Sequence, residues 1–257
     1  MTPSYPIPAR IARVAVALRG EEGRQWFARL PETVAACAER WSLTLDPPYQ
    51  GLSINYAAPG RDAQGRPIVL KVCIPGDEFY TEAEALRLYD GRGSIRLWGA
   101  DLDRGALLIE RAAPGASLDT VADDVEATHI ACKVMRQLWR PVPAASAKIL
   151  PTYDLWVQHM GERCQARLGP EHALLRRWVE RALAMHRELA ADQPEWVLLH
   201  GDLHHGNILA AERQPWLAID PKGLAGPAIA ETGPLLINRL ADPHTPETAR
   251  RALGRRA

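Results

Sequence analysis

Residues 196–223, WVLLHGDLHHGNILAAERQPWLAIDPKG, alternate short apolar runs with polar clusters, a pattern that neither one helix nor one continuous strand can satisfy. VLL (197–199), NIL (207–209) and WLAID (216–220) are each strand-length, and His200-Gly201 closes the first where glycine permits a sharp bend. AAERQP separates the second and third runs, so they read as a hairpin turning near Arg213-Gln214. Antiparallel pairing would then set Asn207 roughly opposite Asp220. The bend contributes Asp202. Three oxygen-bearing side chains, two of them anionic, are expected to converge, and that donor set suits a hard cation such as Mg²⁺.

Asp202 and Asn207 also stand in a D-x-x-x-x-N relation, the spacing of a kinase catalytic loop, with a second aspartate at the end of a following strand. There one aspartate receives the substrate hydroxyl's proton, while the amide and the other carboxylate hold magnesium. Two other readings compete. His200, Asp202, His204 and His205 have the composition of a zinc cage, but the metallo-hydrolase order H-x-H-x-D-H is here H-x-D-x-H-H. The same residues would otherwise only cap turns.

The other half of a phosphoryl-transfer site is a cation on the nucleotide phosphates. In PIVLKVCI (67–74), Lys71 shares a strand face with Val69 and Cys73, and the opposite face is also apolar. An ammonium so placed needs an anion, because burying it alone is costly. Glu82 and Glu84 on the following helical segment are both candidates, and periodicity does not choose between them. QGLSIN (50–55), with one glycine and Ser53, is a thin phosphate-covering turn beside G-x-G-x-x-G.

Lys plus Arg and Asp plus Glu are equal at 31 each over 257 residues, so no global field draws the chain toward nucleic acid or membrane. IARVAVAL (11–18) is interrupted by Arg13 and reads as neither signal peptide nor span. The four cysteines lack metal-ribbon spacing and read as buried thiols. A cytoplasmic protein, monomeric or weakly dimeric, is expected.

The coarse order is helix over 9–43, broken near Gly20–Gly23 and Pro31. A β-hairpin from GLSINYA (51–57) and 67–74 follows, then a helix over 80–90, and strands in SIRLWGAD and GALLIERA. APGAS (113–117) reads as a linker, and 118–191 as largely helical. This divides the chain into a small mostly-β lobe (1–110), a connector (111–117) and a larger mostly-α lobe (118–257).

HGDLHHGNIL followed by WLAIDPKGL, together with VLKV and LLIERAAPG, resembles the aminoglycoside phosphotransferase family, in its streptomycin 6-kinase and hydroxyurea phosphotransferase branch. The resemblance implies an α+β, protein-kinase-like two-lobed fold and transfer of the ATP γ-phosphate to a hydroxyl of an aminoglycoside-type antibiotic, with streptomycin first among acceptors. A kinase of another hydroxylated metabolite, or a nucleotide-binding remnant, is the alternative. By that resemblance Asp202 is the base, braced by His200 and lined by His204, and Asn207 and Asp220 hold Mg²⁺. Lys71, paired with Glu82, and Ser53 would meet the ATP phosphates, and the backbone of Glu110-Arg111-Ala112 the adenine. Gly201 stands where protein kinases carry an arginine, and no long phosphorylatable loop follows Asp220, which points to a constitutive small-molecule kinase. Only 37 residues follow Asp220, so a shortened acceptor wall is expected. Asp154, Glu162 and Glu231 are candidate acidic walls for a cationic acceptor, although each also reads as a solvated helix face.

Overall fold

The computed structural model describes residues 5–50, 55–190 and 196–238. The chain divides into two compact units, Met1–Ala116 with Ala210–Leu217, and Ser117–Leu209 with Ala218–Ala257.

In the first unit, α1 (Ala9–Arg40) packs Ile11, Ala15, Leu30, Val34 and Cys37 onto a five-stranded sheet. Its strands are β1 (Thr44–Leu45), β2 (Tyr56–Arg61), β3 (Pro67–Val72), and, after α2 (Asp77–Tyr89), β4 (Leu97–Asp101) and β5 (Ala106–Glu110), in the order β1-β2-β3-β5-β4. Both expected interruptions of α1 were tested by the structure, and only one breaks it. Gly20 (φ 54°, ψ −122°) leaves the helical region, as its missing Cβ allows, whereas Pro31 remains inside the helix. Leu30 and Val34, both fully buried, flank Pro31 and hold that turn against the sheet. Each such buried aliphatic side chain contributes roughly 1.5–3 kcal/mol.

The first hairpin turns later than the sequence suggested. Residues 51–54 of the strand assigned to 51–57 lie outside the described residues, and the described strand runs Tyr56–Arg61, paired Tyr56↔Val72 through Arg61↔Pro67. Asp62 sets the turn: its Oδ1 accepts from the backbone N–H of Gln64 and of Arg66, each at 2.9 Å. An aspartate that satisfies two turn amides ends the strand one residue before it. Ile68, Leu70 and Val72 face the α1 side and Lys71 the other, as strand alternation requires.

The expected linker 113–117 contains a strand instead, β6 (Pro114–Ser117), which forms a three-stranded sheet of order β6-β8-β9 with β8 (Ile208–Ala211) and β9 (Trp216–Ala218). Between β6 and β8 come α3 (Asp124–Leu138), α4 (Tyr153–Arg167), α5 (Ala173–Ala190) and β7 (Trp196–Leu199). After β9 follow β10 (Leu224–Pro227), antiparallel to β7, and α6 (Thr232–Ile237). Asp123 caps α3 and Thr152 caps α4 through backbone amides, each cap stabilising its helix by about 1 kcal/mol. Ala127, Ala131, Val134, Met135 and Leu138 form the buried stripe of α3. Cys37 and Cys73 are buried as expected, but Cys164 is exposed on the last turn of α4, where a small thiol is tolerated in water. Among the described residues no helix is long and apolar enough to cross a membrane.

Candidate active site

The loop after β7 is built around the backbone of residues 200–207. Gly201 (φ +79°) makes the bend, and a Cβ there would stand 2.8 Å from Leu224 Cδ1. Glycine is therefore required by both conformation and space. His200 is fully buried. Its Nδ1 accepts the Asp202 N–H at 3.3 Å, which leaves Nε2 to carry the ring proton and donate it to the Ile219 carbonyl at 2.8 Å. A neutral ring fits both bonds, and burial lowers the His200 pKa from 6.5 to about 4. The loop thus braces itself against β9 through a histidine that stays uncharged.

The Asp202 carbonyl accepts from the His204 N–H at 2.9 Å and from the Asn207 side-chain amide at 3.0 Å. That bond commits the amide nitrogen of Asn207 to the loop backbone. His204 Nδ1 accepts from the Gly206 N–H at 3.0 Å and caps the short turn His205–Asn207. The Ile219 N–H donates to the Asn207 carbonyl at 2.9 Å, so Asn207 faces Ile219, one residue before the Asp220 that the sequence placed roughly opposite. The offset arises because Ala211 N–H already bonds Pro215 O, which fixes the register from the turn end. Asp220 comes next, with φ +56°, a left-handed conformation that aspartate tolerates better than most residues and that concentrates at functional sites. It turns the chain out of the ribbon beside Asn207. A carboxylate and an amide oxygen are donor types that suit a hard cation such as Mg²⁺.

Two residues that contact this loop were not recognised as doing so from sequence. Glu231, offered as an acceptor wall, is instead completely buried: Oε2 accepts the His200 N–H at 2.6 Å and Oε1 the Gly201 N–H at 2.9 Å. Burial pushes its pKa from 4.5 up to about 7, against the pull of the two amides, with the Asp202 charge adding to the rise. Lys222 is the second, its ammonium 3.6 Å from Asp202 Oδ2. Glu231 carries no periodic or motif signal, and Lys222 lies within the WLAIDPKGL stretch without a role that the sequence assigns; the fold brings both to the loop.

In the first unit Lys71 and Glu82 are both buried and joined at 2.5 Å. Glu84, the other candidate, pairs with Arg87 on its own helix at 2.6 Å. The Glu110 side chain is held by the Arg213 guanidinium, Nε and Nη2 each 2.8 Å from a different carboxylate oxygen. Arg213 also donates to the Gly91 and Ser94 carbonyls, at 2.6 and 2.9 Å. Ala112 lies two residues beyond Glu110, past the end of β5. Ser53 lies outside the described residues.

The zinc reading does not survive the geometry. His200 and His205 are buried, with ring nitrogens bonded to Ile219 and Asn238, and the described residues contain no cluster of three metal-binding side chains. Asp154 and Glu162 line a cavity of about 590 Å³ beside α4 and α5, together with Val157, Gln158, Leu183 and His186. Asp154 bonds His186 at 2.9 Å there.

A family model described as aminoglycoside/hydroxyurea antibiotic resistance kinase matches residues 45–257. The chain belongs to that family. Among the members of this antibiotic resistance kinase family it is similar to a streptomycin 6-kinase of Streptomyces griseus, 35% identical over 209 residues that cover 80% of this chain and 66% of the relative. It therefore spans just under two thirds of that relative's length. A hydroxyurea phosphotransferase of Kitasatospora aureofaciens is 36% identical, with 90% of this chain and 68% of the relative covered. Among solved structures, amicoumacin kinase hAmiN in complex with AMP-PNP, Ca²⁺ and Ami superposes with a TM-score of 0.60 at 15% identity, over 90% of this chain and 78% of that one. A thermostable mutant of aminoglycoside phosphotransferase APH(4)-Ia in its apo form gives 0.57 at 17% identity, over 85% and 80%. These likenesses establish the α+β kinase-like fold expected from the sequence.

Proposed function

We propose that this family member transfers the γ-phosphoryl group of ATP to a hydroxyl of an aminoglycoside-type antibiotic, with streptomycin and its 6-hydroxyl the first choice of acceptor. The observation that carries the reading is the loop itself. Asp202 is the one carboxylate of the H-G-D-x-H-x-x-N stretch, and its side chain is 38% exposed while the backbone beneath it is fixed by His200, His204 and Asn207. A base held still and open to a small molecule is what acceptor activation needs. The names of the relatives, kinases of streptomycin and of hydroxyurea at 31–36% identity, support the acceptor class.

In this reading the acceptor hydroxyl donates its proton to Asp202 as its oxygen bonds to phosphorus. The bond to the leaving oxygen breaks, and ADP departs with the electron pair. Asn207 and Asp220 would hold Mg²⁺, which supplies neutralisation of the phosphate charge. Lys71, fixed by Glu82, would take the nucleotide phosphates, and the backbone about Glu110 and Ala112 the adenine, with Ser53 on the phosphate-covering turn. The enzyme would act in the cytoplasm, as a monomer or weak dimer, and confer resistance by inactivating the drug.

The test is an ATP-consumption screen with Mg²⁺ over streptomycin, other aminoglycosides, hydroxyurea and choline, with the product mass followed. Streptomycin heavier by one phosphoryl group supports the reading. Transfer to another acceptor alone corrects the substrate, and a nucleotide-dependent thermal shift without transfer to any acceptor contradicts the activity.

A further inference from the structure

Lys222 has no role in the scheme above, yet the fold places it against the candidate base. Its backbone N–H donates to the His200 carbonyl at 2.7 Å, and that of Gly223 to the same oxygen at 3.3 Å. These bonds fix the start of the lysine side chain on the loop that carries Asp202. The absence of a side chain at Gly201 makes room for it: a Cβ at position 201 would lie 3.3 Å from Lys222 Cβ. From there the stem reaches Asp202, with Nζ 3.6 Å from Oδ2 and the two side chains 35% and 38% exposed. A pair so open to water stabilises a fold very little. Its place beside the candidate base suits the bond-making step.

We propose that Lys222 is a catalytic residue of the transfer: its ammonium leaves Asp202 and binds the non-bridging oxygens of the phosphoryl group as that group passes to the acceptor. The proposal rests on the phosphotransferase reading. An acceptor oxygen hydrogen-bonded to Asp202 lies about 3 Å from the carboxylate, and in a near-attack arrangement the phosphorus lies roughly 3–3.5 Å beyond it. An ammonium that starts 3.6 Å from that carboxylate is one side-chain swing from the phosphoryl oxygens. Lysine suits the task, with three rotatable donors, a flexible stem and a compact charge. In the step the acceptor oxygen–phosphorus bond forms and the bond from phosphorus to the ADP oxygen breaks. ADP keeps the electron pair and Asp202 takes the hydroxyl proton. Lys222 keeps its own protons throughout and supplies only charge, which counts most where charge is redistributed in the transition state. The loop that bears glycine at 201 thus receives its cation from position 222, with no phosphorylation required to install it.

The experiment compares the parent protein with K222M, K222R, D202A and the double variant K222M/D202A. Each is given Mg-ATP and the acceptor that the parent modifies best, and kcat, both KM values and the melting temperature are recorded. K222M is expected to lower kcat about 100-fold, the scale of losing one charge-stabilising donor, with KM for ATP within about threefold of the parent. K222R should recover about tenfold of that loss, because it restores the charge with a different shape. K222M should also slow the residual reaction of D202A, since the phosphoryl contact does not pass through Asp202. The proposal is overturned if K222M turns over within about twofold of the parent, if it costs nothing in the D202A background, or if it fails to fold. The second result would leave Lys222 acting only through Asp202, and the third would make it a structural residue. A parent that modifies no acceptor sinks the phosphotransferase reading and this step with it. An active parent beside a fully active K222M sinks this step alone.

Discussion

The carboxylate of Glu231 is joined to His200 across 31 residues of sequence, accepting its backbone N–H at 2.6 Å while its other oxygen takes the N–H of Gly201 at 2.9 Å. Two consecutive amides at a sharp bend are thereby satisfied by one buried side chain, and the loop that presents Asp202 acquires a fixed floor. Glu231→Ala leaves both amides without an acceptor and should cost at least about 2 kcal/mol of stability, measured by urea unfolding. A loss below about 0.5 kcal/mol would show that water replaces the carboxylate freely.

The same pair makes stability depend on pH in two opposed ways. Glu231, raised from 4.5 to about 7, keeps a proton in the folded state that the unfolded chain releases, so its contribution is lost as pH rises from 4.5 to 7. His200, lowered from 6.5 to about 4, refuses a proton that the unfolded chain takes up, so its contribution is lost as pH falls from 6.5 to 4. Glu231→Gln removes the first effect alone. Relative to the parent, the variant should therefore improve by about 2 kcal/mol between roughly pH 5 and pH 7. A pH-independent difference between the two proteins would contradict the burial of a proton-binding carboxylate at this position.

Lys71 and Glu82 make a buried ion pair, and such pairs are expensive to break from one side. Lys71→Met alone should cost about 3–5 kcal/mol, because it leaves the Glu82 charge buried without its partner, whereas Lys71→Met with Glu82→Leu should cost clearly less. Thermal and chemical unfolding of the single and double variants measure the difference. Equal losses would place the two side chains in water. Nucleotide affinity should fall in both, since either change removes the candidate phosphate cation.

Arg213 uses its fork on four acceptors of the first unit, both Glu110 oxygens and the carbonyls of Gly91 and Ser94. A lysine cannot reproduce that geometry, so Arg213→Lys should be nearly as harmful as Arg213→Ala, each costing about 2 kcal/mol. If the residues about Glu110 meet adenine, both variants also raise KM for ATP. A lysine variant as stable as the parent would mean that charge alone matters at this position.

Much of the candidate site could be read from the sequence because its signals are local. Short apolar runs fixed the strands, a glycine fixed the bend, and the spacing of Asp202, Asn207 and Asp220 brought them to one end of the ribbon. Alternation along PIVLKVCI buried Lys71. Helical spacing left Glu82 and Glu84 open as partners, the resemblance pointed to Glu82, and the structure pairs Glu82 with Lys71 and Glu84 with Arg87. Glu231, Lys222 and Arg213 were missed or misread for the same reason: their partners lie across the fold, and a lone charged residue in a loop or short turn looks solvated. The strand errors were of another kind. Asp62 moved the first hairpin through turn bonds that its sequence context only hints at, and Pro114–Ser117 became strand through pairing and not through propensity.

Asp202 carries the largest share of the proposed chemistry, and its removal is the sharpest test of it. Turnover and binding of a non-hydrolysable ATP analogue are to be measured with Mg²⁺ for the parent and for Asp202→Ala and Asp202→Asn. Turnover should fall by about 10²–10⁴-fold in both variants while the nucleotide dissociation constant stays within about threefold. Parent-like turnover in either variant would contradict the assignment of Asp202 as the acceptor's base.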